Sequence, residues 1–138
     1  MKNTILMINA LLGGYLGYVY KWLDKPKKFL LLFIILDFIS GVIVALYFKN
    51  SNKTCSGSYS SNAGFKGLCK KCMIILLVVV AMCFDNMLNT NYVANTVCFG
   101  FITNECFSIL ENGKAMNIRY PKILDNCLDI VNKKSKNN

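Results

Sequence analysis

The chain has 138 residues, of which 54% are hydrophobic, and sixteen Lys and Arg against seven Asp and Glu give a net charge of +9. It has no histidine, and its seven cysteines are odd in number and lie partly within apolar stretches, so catalytic constellations, a metal site and a disulfide framework are not expected. We see neither a soluble basic face nor a motif for nucleic-acid binding. We therefore predict a protein that is not an enzyme, holds no cofactor or metal and binds no nucleic acid.

The first apolar stretch, residues 5–20, is short for a transmembrane helix. Gly13 and Gly17 form a GxxxG pattern, which in an apolar helix permits close backbone approach to another helix. A short interfacial or re-entrant helix, closed by a belt of aromatic residues, is the alternative. The pattern leaves open whether this marginal helix crosses the membrane.

The second stretch, residues 29–48, is the clearest transmembrane segment. It contains one charged residue, Asp37, and at about 1.5 Å per residue it spans about 30 Å, the thickness of a bilayer core. Gly41 and Ala45 are a second pair of small residues suited to helix packing, and Gly41 shares a helix face with Asp37. An acid at this depth faces protein or water, so Asp37 either lines an aqueous lumen or joins helices inside a bundle.

A third transmembrane segment is predicted at residues 72–88. The preceding segment, residues 49–71, is rich in Ser, Asn and Gly and carries five lysines and no acid, which predicts a solvated loop near lipid headgroups. The uninterrupted apolar run that follows is only thirteen residues long. Asp85 therefore lies near the far membrane interface or inside the membrane.

The fourth stretch, residues 92–110, predicts an amphipathic helix at membrane depth. Its polar residues recur at helical spacing and form one stripe, which must face water or polar partners because a carboxylate facing lipid is costly. The stripe consists of Asn104, Glu105, Ser108, Glu111 and Asn112. Together with Asp37 and Asp85, these residues are the predicted pore-lining or intramembrane polar positions.

The C-terminal part, residues 111–138, is predicted to be a cytoplasmic tail. Apolar residues recur at helical spacing over residues 122–131, which indicates a short amphipathic helix on the membrane surface or against the bundle. The basic 49–71 segment and the tail are assigned to the cytoplasm. The sequence thus predicts one all-α membrane domain, residues 1–138, with three to four transmembrane helices and a short C-terminal amphipathic helix.

Three groups of residues, taken in chain order, resemble the pattern of a known family. They are Asp37 with Gly41 and Ala45, then Ser60, Ser61, Gly64, Gly67, Lys70 and Lys71, and finally Phe101, Ile102, the N-E-x-x-S-I-x-E-N run at 104–112 and Pro121. In order and spacing this series, over residues 29–125, resembles the toxin-secretion/phage-lysis holin family of Gram-positive bacteria and their phages. The N-E-x-x-S-I-x-E-N run followed by a proline is its most specific part.

The resemblance implies a small protein that accumulates in the bacterial cytoplasmic membrane and assembles into lesions. Endolysin or a large clostridial-type toxin would pass through these lesions, so the implied partners are further copies of the chain, anionic membrane lipid and the exported protein. We hypothesise assembly through the Gly13/Gly17 and Gly41/Ala45 faces, with Glu105, Ser108 and Glu111 lining the opening. An antiholin, and a small transport or signalling accessory subunit, are the alternatives.

A second possible start codon lies close to the first. Met1 and Met7 bracket Lys2, and some holins use two starts so that the longer, more charged product delays the shorter. The sequence leaves open whether Met7 is used in this way.

Overall fold

The computed structural model describes residues 2–48 and 61–136, and within those ranges the chain consists of helices joined by short connections, without strands. The helices are α1, Lys2–Trp22; α2, Lys25–Ile43, continued by a π-helical segment, Val44–Phe48; α3, Ser61–Leu88; α4, Tyr92–Ala115; and α5, Lys122–Lys136. Three of them are long and apolar enough to cross a membrane: Lys25–Phe48, Ser61–Leu88 and Tyr92–Ala115. The predicted all-α fold of a small membrane protein is confirmed.

Helix α4 organises the bundle by packing against both α2 and α3. The buried apolar core is small and includes Leu30 and Ile34 of α2, Val78 of α3 and Cys98 of α4. Most large apolar side chains of α2 and α3 instead point outward and are exposed. An apolar exterior around a partly polar interior is the arrangement that a lipid environment stabilises.

Left-handed asparagines end α3 and α4. Asn89 has a φ of 52° and Asn117 a φ of 60°, a conformation that Asn tolerates better than most residues. After α4, the amide of Ile118 donates to the Gly113 carbonyl at 3.1 Å and that of Asn117 to the Lys114 carbonyl at 3.0 Å. These two bonds form a Schellman motif, which stops the helix and turns the chain towards α5.

Helix α1 differs from the bundle helices because its described side chains are exposed. A Cβ atom added at Gly13 or Gly17 would meet no atom within 4 Å. Within the described residues, α1 is not among the helices that satisfy the length and hydropathy expected of a membrane span.

The prediction of a loop over residues 49–71 was wrong for its last part, because residues 61–71 form the first turns of α3. The apolar run after Cys72 nucleates a helix, and each residue added to an existing helix gains a hydrogen bond, so propagation continues through weak helix formers. The rest of that segment, 49–60, lies outside the described residues. Helix α4 likewise continues to Ala115, five residues beyond the predicted end of the span.

Candidate functional site

A buried ion cluster joins the three bundle helices near their midpoints. The Lys71 Nζ of α3 lies 2.8 Å from Asp37 Oδ2 of α2 and also forms an ion pair with the Glu105 carboxylate of α4. Both carboxylate side chains are only 4% exposed. The lysine therefore serves two acids that are distant in sequence, and the three charges meet only while the helices are packed together.

The amide of Asn112 completes this cluster. Its Nδ2 donates to Asp37 Oδ1 at 3.2 Å and to Ser40 Oγ at 2.8 Å, while Ser40 Oγ donates to the Asp37 carbonyl at 2.9 Å. We call Asp37, Ser40, Lys71, Glu105 and Asn112 the mid-bundle cluster. Its hydrogen bonds matter because a buried polar group without a partner costs about 1–3 kcal/mol.

The mid-bundle cluster is suited to holding helices together rather than to catalysis. It contains two carboxylates, one ammonium, an amide and a hydroxyl, with no histidine or cysteine among its members. Within residues 2–48 and 61–136, no group of three or more His, Cys, Asp or Glu side chains is placed to hold a metal ion. Separating the helices would leave charges unpaired, and breaking a buried ion pair typically costs about 3–5 kcal/mol.

Asp85 belongs to a different site, at the turn between α3 and α4. Its buried carboxylate accepts hydrogen bonds from Thr90 Oγ1 at 2.6 Å and from the backbone amides of Val93 at 3.0 Å and Ala94 at 2.8 Å. The two amides belong to the first turn of α4, where free donors and the helix dipole favour an anion. We call Asp85, Thr90, Val93 and Ala94 the turn cluster; it fixes where α4 starts relative to α3.

The structure brings together some of the residues predicted from sequence and separates others. Asp37, Glu105 and Asn112 meet in the mid-bundle cluster, whereas Asp85 lies in the turn cluster. Ser108 and Glu111 are half-buried on α4, and Asn104 is exposed. The stripe predicted on α4 therefore divides between an inward and an outward side.

The two predicted helix-packing pairs also differ. Ala45 is buried in the π-helical segment, which contacts α4, and Gly41 is half-buried. Gly13 and Gly17 are exposed on α1. The Gly41/Ala45 pair is thus already partly covered within one chain, whereas the Gly13/Gly17 pair is open.

Lys71 and Ser40 are the two members of the mid-bundle cluster that sequence reasoning missed, and Lys71 is the charged one. Hydropathy treats a lysine at the edge of an apolar run as the boundary of the span and assigns it to headgroups. The available signal was the need for a cation: two acids at membrane depth require partners, and Lys70 and Lys71 adjoin the third apolar run. Only Lys71 is buried, whereas Lys70 is exposed.

Helices that expose apolar side chains and pair their charges internally define a multi-pass membrane protein. The model of the bacteriophage holin family matches residues 14–133 of the chain. The chain therefore belongs to the bacteriophage holin family, a membrane-permeabilising and non-enzymatic family.

Individual relatives agree with this assignment. The chain is 38% identical over 135 residues to an uncharacterized protein of Listeria innocua, and the alignment covers 96% of this chain and 91% of that protein. It is 34% identical over 125 residues to an uncharacterized 14.9 kDa protein of Clostridium perfringens (86% and 89% covered). It is also 31% identical over 120 residues to a protein named probable holin from Bacillus phage phi105 (86% and 79% covered). No solved structure matches the chain.

Proposed function

We propose that this protein is a holin that oligomerises in the bacterial cytoplasmic membrane and forms lesions that release endolysin or an exported toxin. Membership of the bacteriophage holin family and the similarity to a probable phage holin support the class. The observation that carries the mechanism is the mid-bundle cluster, in which Lys71 pairs with both Asp37 and Glu105.

The mid-bundle cluster gives a physical reason for two states of the protein. In the closed bundle the charges are paired, so single chains insert and accumulate at a tolerable cost. If α2, α3 and α4 part, those charges need water, because lipid solvates them poorly. A lumen shared by several copies supplies that water. In this proposal Glu105, Ser108, Glu111 and Asp37 line the opening.

Helix α1 is the surface through which we propose that closed copies first meet. Its GxxxG pair, Gly13 and Gly17, is open to a neighbour, whereas Ala45 is covered by its own chain. The Gly41/Ala45 face then becomes available only when the bundle opens. We place the N-terminal end of α3 and the C-terminal tail on the cytoplasmic side, where anionic lipid attracts lysine.

Lysis timing tests the class directly. The chain is induced in a bacterium together with a cytoplasmic endolysin that has no export route of its own, with a catalytically inactive endolysin as the control. We expect steady growth followed by abrupt lysis only with the active endolysin. Continued growth would contradict the proposal. If the chain instead delays lysis by a second, known holin, it is an antiholin.

Replacing Glu105 by Leu tests the lumen assignment. Lys71 keeps its partner Asp37 at 2.8 Å, so the closed bundle retains a neutral pair and insertion should be unchanged. The open state loses a carboxylate that favours water. We therefore expect E105L to accumulate in the membrane and to abolish lysis.

The matched control for this substitution is Thr103→Leu. Thr103 is exposed and, two residues from Glu105, lies on the opposite side of α4. We expect T103L to lyse on the wild-type schedule. Unchanged lysis timing in E105L, at wild-type membrane levels, would contradict the lumen assignment.

A further inference from the structure

Helix α5 presents an apolar row that the other residues of 2–48 and 61–136 leave uncovered. Ile123, Cys127 and Ile130 recur at spacings of four and three and so share one helix face. Ile123 is 77% exposed and Ile130 66% exposed, and Cys127 is exposed between them. A different edge of α5 provides the attachment to the bundle, where Leu128 is 1% exposed.

Both acids of α5 lie on that attached side. Lys114 Nζ at the end of α4 is 2.9 Å from Asp125 Oδ1 and 3.4 Å from Asp129 Oδ1. The other charged residues of the segment 122–136 are all basic: Lys122, Lys133, Lys134 and Lys136. Lys122 and Lys133 are exposed, and by helical spacing they lie between the attached side and the apolar row, so the row has one basic flank.

The position of α5 in the chain places this surface next to a bilayer. Helix α4 is long enough to cross the membrane, so its C-terminal end lies at an interface. The Schellman motif at Asn117 and a bond of 3.1 Å from the Tyr120 hydroxyl to the Leu110 carbonyl fold the connection back on α4. Helix α5 begins directly after Pro121 and thus starts at the membrane surface.

We infer that α5 lies in the plane of an anionic membrane surface, with the Ile123–Cys127–Ile130 row in the acyl boundary and its lysines at the lipid phosphates. A helix with a strong apolar face and flanking lysines binds such an interface in two ways: its apolar side chains are buried, and its lysines are attracted to the anionic lipid. A second copy is a poorer occupant, because face-to-face pairing of two α5 helices brings their lysines together. The inference rests on the membrane location of the chain and does not depend on lysis.

Labelling of Cys127 in the full chain tests the inference. The other six cysteines are replaced by Ser or Ala, and the protein is placed in lipid nanodiscs, which leave both membrane faces accessible to reagent. The measured quantity is the rate of reaction with a charged maleimide. The matched control carries Asp129→Cys, on the opposite side of α5, with Cys127→Ser; Lys114 keeps its partner Asp125 at 2.9 Å in this variant.

We expect Cys127 to react at least about tenfold more slowly than D129C in nanodiscs of phosphatidylglycerol and phosphatidylethanolamine, since burial in the interface excludes the reagent. The difference should shrink in phosphatidylcholine nanodiscs, and I123D with I130D should restore fast reaction at Cys127. Equal rates at the two positions in anionic nanodiscs would overturn the inference. So would protection that persists in detergent together with Cys127–Cys127 crosslinking, because a second copy would then be the occupant.

Discussion

The mid-bundle cluster and the turn cluster accommodate buried carboxylates in different ways. Asp37 and Glu105 use a cation on a third helix, and Lys71 lies 34 residues from Glu105 in sequence. Asp85 uses donors at Thr90, Val93 and Ala94, five to nine residues away. The two sites are about 16 Å apart along α4, given a rise of about 1.5 Å per residue.

Because of this difference, the mid-bundle cluster can open when the helices separate, whereas the turn cluster fixes the geometry of the α3–α4 hairpin. The turn cluster is satisfied by α3, its turn and the start of α4, so the α3–α4 hairpin can move without breaking it. The mid-bundle cluster needs α2, α3 and α4 in place at once. In the proposed lesion, the turn cluster stays intact and the mid-bundle cluster opens.

The largest effect is expected from removing the shared cation. Lys71→Met leaves two carboxylates buried without their ammonium, and breaking a buried ion pair in this way costs about 3–5 kcal/mol. The measurement is the free energy of unfolding in mixed micelles titrated with denaturing detergent. We also expect K71M to lyse cells earlier than the wild type, because the closed bundle is weakened.

The neighbouring Lys70→Met is the matched control, since Lys70 is exposed and takes no part in the cluster. Its effect should stay below about 0.5 kcal/mol, as for most surface substitutions. In the K71M background, Asp37→Asn should recover part of the loss by removing one unpaired charge. Equal stabilities of K71M and K70M would show that the ion pairs do not hold the bundle.

A smaller effect is expected at the turn cluster. Asp85→Ala removes the acceptor for two amides of the first turn of α4, and loss of a helix cap costs about 0.5–2 kcal/mol. Because the hairpin does not open in the proposed mechanism, D85A should lower the free energy of unfolding while retaining the delay before lysis. The exposed neighbour Asn86→Ala should leave stability nearly unchanged. A D85A variant that shifts lysis onset as strongly as K71M would remove the distinction between the two sites.

The smallest effect is steric and lies at the end of α4. A Cβ at Gly113 would lie 1.8 Å from the Tyr120 hydroxyl, so Gly113→Ala displaces that side chain and breaks its bond to the Leu110 carbonyl. We expect G113A to cost about 1 kcal/mol relative to Gly100→Ala, on the scale of one hydrogen bond. Gly100 is the control because nothing lies within 4 Å of an added Cβ there. In a Tyr120→Ala background the difference should vanish; a difference that persists would show that Tyr120 is not its cause.

Much of the fold follows from local patterns in the sequence, and the charge pairing does not. The lone acid of the second stretch and the stripe of the fourth stretch predicted polar faces on α2 and α4, because helical periodicity determines which residues share a face. Periodicity cannot show which faces meet. Lys71 was therefore missed as the partner of Asp37 and Glu105.

Helix α4 continues beyond the predicted end of its span at residue 110, to Ala115. Asn117 stops the helix through its backbone conformation and the hydrogen bonds around it, which an apolar run does not report. The capping role of Asp85 depends on the turn bringing α4 back to the end of α3. Its carboxylate was placed near an interface by run length alone, and its partners became apparent only in the folded hairpin.

Accessibility at Ser108 tests the central claim that the inward side of α4 becomes a lumen. Ser108→Cys is introduced into a chain without its seven native cysteines, and reaction with a membrane-impermeant maleimide is followed before and after lysis begins. We predict slow reaction during accumulation and fast reaction after onset, while Thr103→Cys on the outer side stays slow throughout. A rate at S108C that does not change across onset would contradict the account.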